Sequence, residues 1–220
     1  MNDRRPTPQP IAAPPHGRLP DRAFTDEFRR LHAHVLDWIE PYYDRDHLVR
    51  AGDWALALDP TASEPVVIAV LAHDMERSVP GGPVLDKRRT PWDDPEYNRR
   101  HCERSAVVVA AWLRGQGASE RFVEATRVPI LEHEFGGTAE GDLAQAADSL
   151  SWLDVNAPLA GAWVERGECD AGKAHAKLRW MLERIRLPEA RRIAEPLYAA
   201  AATELDARVA RARKRLPHTP

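Results

Sequence analysis

Apolar residues along most of this chain recur at three- and four-residue intervals, the spacing of one face of a helix. The first such stripe runs Phe24, Phe28, Leu31, Val35 and Trp38 or Ile39, with Asp21 or Thr25 as its cap and Pro41 as its stop. A second helix is predicted from about 44 to 58, where His47, Ala51, Trp54, Ala55 and Leu58 share a side. Then comes an unbroken apolar run from Val66 to Ala72 that ends in His73 and Asp74. A run this short suits a buried strand as well as a buried helix, and its helical neighbours favour the helix. Residues 75–95, with Pro80-Gly81-Gly82-Pro83, Pro91 and Pro95, are predicted to be irregular, the kind of long connection that serves as a lid or binding loop.

Helical spacing returns from about 95 to 113, with His101, Ser105, Val108 and Trp112 on one face. Ser119 caps a further helix through Phe122, Ala125, Thr126, Pro129 and His133, with a kink expected at Pro129 and a stop at Gly136-Gly137. Residues 142–155 align Ala144, Asp148, Ser151 and Val155. Two more helices are predicted over 158–185, broken near 167–172, and over 188–213. The proline-rich first 20 residues read as a disordered leader and those after Lys214 as a loose tail. The predicted fold is all-α: one helical bundle over 21–213, with 156–213 as additional C-terminal helices.

Composition narrows the function. With 31 basic and 34 acidic residues the net charge is -3, which argues against a basic nucleic-acid face. Cys102 and Cys169 are too few and too far apart for a disulfide framework, in keeping with a reducing cytoplasm. No apolar run approaches the roughly 20 residues of a membrane span. Seven tryptophans, Trp54, Trp112 and Trp152 among them, are read as packing residues rather than a platform for bases.

The chemistry lies in the polar residues that fall on inward faces: His47, His73, Asp74, His101, His133 and Asp148. A single histidine on an apolar stripe is ordinarily a hydrogen-bonded core residue. Several together, each costing about 1–3 kcal/mol if left unpaired, are better explained by coordination of a shared ion. Mixed imidazole and carboxylate donors suit Mn, Fe, Co, Ni or Zn rather than Ca²⁺.

In order and context these residues resemble the HD-domain superfamily of metal-dependent phosphohydrolases. The resemblance covers about residues 28–155 and rests on His47 in Asp44-Arg45-Asp46-His47, on His73-Asp74 after Ala69-Val70-Leu71-Ala72, and on His101, His133 and Asp148 in turn. It implies an HD-like bundle in which His47, His73, Asp74 and Asp148 hold one ion. His101 and His133 would hold a second, with Asp74 bridging. It further implies hydrolysis of a phosphate ester or phosphoanhydride in a small molecule, a nucleotide foremost, by a metal-activated water. Arg77 and Lys87 are the expected phosphate contacts, with Arg88, Arg89, Arg99 and Arg100 as weaker candidates.

Two branches of that superfamily fit poorly. Arg77-Ser78 stands where alarmone hydrolases carry an acidic pair, and the Gly-Tyr-Pro signature of cyclic-dinucleotide hydrolases is absent. Other members with the same six residues hold two irons and cleave carbon bonds with O₂, and a non-catalytic metal or nucleotide sensor is a third reading. Glu76, Glu132 and Glu134 are expected to be exposed carboxylates. A homo-oligomer is compatible with the sequence.

Overall fold

The computed structural model describes residues 17–215, with side chains up to 212. Most of the predicted leader and tail, residues 1–16 and 216–220, lies outside the described residues. Within them the fold is all-α, with no strand. Helix α1 (Asp26–Ile39) is followed by α2 (Arg45–Leu58) and the short apolar α3 (Glu64–Ala72). After a 3₁₀ turn at Met75–Ser78 come α4 (Pro95–Gly115), α5 (Glu120–Glu132) and α6 (Ala139–Ser151). A widened π-type turn (Trp152–Asn156) leads directly into α7 (Ala157–Glu165), and α8 (Ala171–Glu183) and α9 (Pro188–Arg215) complete the chain.

Side-chain caps set several of these starts. Thr25 accepts from the Phe28 amide, Asp94 from Tyr97, Ser119 from Phe122, Thr138 from Gly141 and Asp170 from Lys173. Helix α3 has no polar face at all: every residue from Val66 to Ala72 is buried. It lies against α1, α2, α5 and α6 as the central element of the core. Gly52 permits the approach of α2 to α3, because a Cβ there would stand 2.9 Å from Leu71 Cδ2. The turn from α5 to α6 needs Gly136 and Gly137, which adopt φ of 67° and 143°.

Three expectations about the elements are corrected. The buried face of α4 runs through His101, Cys102, Ser105, Ala106, Val109 and Leu113 rather than through Val108 and Trp112. Trp112 instead stacks on Trp38, ring centroids 4.4 Å apart. The helix predicted over 142–155 begins earlier, at Ala139, and does not end before Pro158 but passes through the π-type turn. Pro158 has no amide to donate, so the ladder changes register where a bond would be missing in any case.

Candidate metal centre

The six inward polar residues come from five places in the chain and meet at one point. His47 lies in the first turn of α2, His101 two turns into α4 and Asp148 in the last turn of α6. His73 and His133 are the residues immediately after α3 and α5, both still with helical dihedrals. At Asp74 the chain leaves the helix (φ -100°, ψ 0°), which lets neighbouring side chains converge rather than diverge by the 100° of a continuing helix.

The ligating atoms of His47, His73 and Asp74 lie within 4.8 Å of one another, as do those of Asp74, His101 and His133, so Asp74 belongs to both groups. Asp148 completes the cluster, its Oδ1 lying 3.1 Å from His47 Nε2 and 3.5 Å from His73 Nε2. His101 Nε2 is 2.9 Å from Asp74 Oδ1 and 3.2 Å from His133 Nε2. These groups could hold a metal ion.

The far side of each imidazole is fixed by an acceptor. His73 Nδ1 donates to the Val70 carbonyl at 2.8 Å and His133 Nδ1 to the Ile130 carbonyl at 2.6 Å, each folding back over the turn it terminates. His101 Nδ1 donates to Glu76 Oε1 at 3.0 Å. Ser151 Oγ donates to the His47 carbonyl and therefore accepts from His47 Nδ1, at 2.9 Å. With its proton held on Nδ1, a neutral ring presents its Nε2 lone pair, and all four Nε2 atoms face the cluster. His73 Nε2 is buried with no hydrogen-bond partner among the described residues, the orphaned atom that a metal would satisfy.

The charges reflect this crowding. Burial raises the Asp74 and Asp148 carboxyls, but it is outweighed by the Arg77 guanidinium and His101 at Asp74, and by the Arg184 guanidinium with the His47 and His73 rings at Asp148, which hold both well below the usual range. Burial lowers His73, yet Asp148 and Asp74 drive it up to about 9. His133, buried beside two other imidazoles, falls to about 4.

Of the expected phosphate contacts, Arg77 stands beside the cluster, with Nε 3.0 Å from Asp74 Oδ1 and a further bond to the Tyr97 hydroxyl. Lys87 lines the same cavity but is tied to Glu168 at 2.6 Å. Arg88 is bound to the Gly167 carbonyl, Arg99 is paired with Glu96, and Arg89 and Arg100 are exposed, so none of these four lines the cavity.

Of the carboxylates expected on the surface, Glu76 is buried and Glu134 is largely so. Glu76, 1% exposed, holds His101 and is itself held by Arg104 at 3.1 Å. Glu134 is gripped by Arg184, whose guanidinium also pairs with Asp148. Glu132 accepts from the Thr138 amide and hydroxyl and so fixes the α5–α6 turn. Arg184, at the end of α8, has no counterpart among the sequence candidates, because a charge on an amphipathic helix reads as solvated. Only the tertiary approach of α8 to α6 buries it.

A cavity of about 840 Å³ opens on the cluster. His47, Asp74, Arg77, Asp148 and Arg184 form one end, and Trp92, Trp152, Trp163 and Lys177 line the other. No helix of the described residues is long and apolar enough to cross a membrane. Comparisons with family models, with curated proteins and with solved structures give no match.

Proposed function

We propose that this chain is a metal-dependent phosphohydrolase of the HD type, acting on a phosphate ester or phosphoanhydride of a small molecule, a nucleotide foremost. The observation that carries the reading is the set of four imidazoles whose Nδ1 atoms are committed to acceptors, leaving four Nε2 atoms aimed at two carboxylates. His47, His73, Asp74 and Asp148 would hold one divalent ion from the Mn, Fe, Co, Ni and Zn series, and Asp74, His101 and His133 a second. Such an ion supplies Lewis acidity and an activated water at neutral pH.

The remaining work falls to the chain itself. Glu76, the Val70 and Ile130 carbonyls and Ser151 fix the Nδ1 side of each ring and so orient the Nε2 atoms toward the cluster. Once Asp74 is engaged by an ion, Arg77 no longer serves as its main counter-charge, and its planar fork can receive phosphate oxygens. Lys87, already paired with Glu168, contributes less. The sharing of Asp74 between two groups also suits a di-iron oxygenase. Arg77 and Arg184 at the cavity end favour an anionic substrate and hence the hydrolase.

Metal content and turnover test the reading together. Protein purified without chelator should carry one or two transition-metal ions per chain. It should release phosphate from a panel of nucleotides and phosphomonoesters with added Mn²⁺, Co²⁺ or Ni²⁺, and His73→Ala and Asp74→Ala should abolish both while remaining folded. Two bound irons with substrate-dependent O₂ uptake and no phosphate release would overturn it.

A further inference from the structure

Beside the histidine cluster the cavity is walled by tryptophans and lysines, and the indoles are already engaged. Trp92 and Trp163 stack with centroids 5.4 Å apart, and Trp152 lies 6.0 Å from Trp163. Lys87 Nζ sits 5.0 Å from the Trp163 ring. Lys177 Nζ is surrounded by Trp180 at 4.3 Å, Trp152 at 4.9 Å and Trp92 at 5.5 Å. With their faces occupied by one another and by ammonium groups, these rings are poor stacking surfaces for a base. They act instead as a rigid frame that orients cations.

The cations of the cavity differ in their counter-charges. Arg45 is paired with Glu40, Arg77 with Asp74, Lys87 and Arg166 with Glu168, and Arg184 with Asp148 and Glu134. Lys177 alone among these lining cations has no carboxylate and no hydrogen-bond acceptor among the described residues, only indoles. A half-buried ammonium ion that faces a cavity and is neutralised by no carboxylate of the protein is suited to receive an anionic group.

We infer that the substrate carries a second anionic group, separate from the phosphate at the histidine end, and that Lys177 binds it. With a phosphate at the histidines, the substrate class is then a phosphate compound that carries a further anionic group, a second phosphate being one such group, rather than a simple monophosphate. The assignment of the scissile group rests on the function proposed above, whereas the anion site at Lys177 does not. The charge balance agrees: burial and the neighbouring Arg184 lower the Lys177 pKa to about 7, with Arg77 adding to them and Glu134 and Asp148 opposing. Lys173, one turn earlier on α8, shares the Trp92 face and is bonded to the Thr90 carbonyl. An anion bound at Lys177 restores its proton, so binding should weaken as pH rises through 7.

Inorganic pyrophosphate is the probe, titrated calorimetrically into the full chain in the presence of EDTA so that no metal contributes. Lys177→Met keeps the side-chain length without the charge and should bind pyrophosphate about tenfold more weakly. Lys177→Arg should bind within about threefold of the wild type and lack the additional weakening between pH 6 and 8.5, because an arginine does not titrate there. Circular dichroism establishes that both variants are folded. No pyrophosphate binding by the wild type, equal binding by folded Lys177→Met, or the same pH profile in Lys177→Arg would overturn the inference. His73→Ala separates the two ideas: it should abolish metal uptake and leave the loss caused by Lys177→Met unchanged.

Discussion

The two ends of the cavity solve opposite problems with buried polarity. At the histidine end the protein supplies acceptors for the Nδ1 atoms and leaves ring lone pairs and carboxylates facing inward, an arrangement that is electron-rich and suited to a cation. At the tryptophan end it supplies aromatic faces around ammonium groups and leaves Lys177 without a counter-charge, an arrangement suited to an anion. Arg77 and Arg184 stand at the first end and neutralise its carboxylates. The difference teaches that a site of alternating charge need not be formed from alternating residues. It arises from what each charged group is, and is not, allowed to touch.

The comparison breaks most severely at the shared carboxylate. Asp74→Asn should lower kcat/KM for phosphate release by at least about 10³-fold, since it removes charge from both groups of ligands; steady-state kinetics and metal analysis on the same preparation check this. Next in size is Arg184→Met, which leaves Asp148 and Glu134 as uncompensated buried carboxylates. Breaking such a pair costs about 3–5 kcal/mol, measured as a fall in the urea midpoint of the metal-free protein. Added Mn²⁺ should recover part of that loss by neutralising Asp148.

Smaller effects sharpen the comparison. Glu76→Gln removes the carboxylate behind His101 and should weaken metal binding about 10–100-fold, seen in a chelator competition titration, with little change in fold. The pH dependence carries a definite sign. His73 must lose its proton to bind metal and holds it up to about 9, so metal affinity should rise about tenfold per pH unit between 7 and 9 and level off above. In the metal-free protein the same shift stabilises the fold at pH values below the ordinary histidine value of 6.5, and this contribution is lost as pH rises through 9. Lys87→Met should have the smallest effect, a change of a few fold in KM, because Glu168 already occupies its charge.

The two ends were unequally legible in the sequence. His73 and Asp74 stand out because they terminate a run with no other polar residue, and His47 because it interrupts an apolar stripe whose period is clear. The four Nδ1 acceptors were not legible: two are backbone carbonyls and two belong to residues, Glu76 and Ser151, with no marked context. Glu134, Arg184 and Lys177 were missed or misplaced for a common reason. Each is a charged residue on a helix or at a helix end, where a charge reads as solvated, and its burial is created by elements far away in sequence. The all-α class followed from periodicity, whereas the phase of α4 slipped by one residue because His101, Cys102, Ser105 and Ala106 all face inward and blur the stripe.

The widened turn at Trp152–Asn156 sets the rotational phase of everything after it. It lies between Asp148, which serves the histidine end, and Trp163, which frames the lysine end. A π turn takes up one residue more than an α turn for nearly the same rotation, so loss of a single codon there would leave α7 in phase, whereas the same loss in the first turn of α7 would rotate the residues beyond it by about 100° and turn Trp163 off the cavity wall, leaving the histidine cluster upstream untouched. One small deletion in α7 can thus redraw the tryptophan wall of the cavity without disturbing the histidine cluster, while the π turn before it tolerates the same loss.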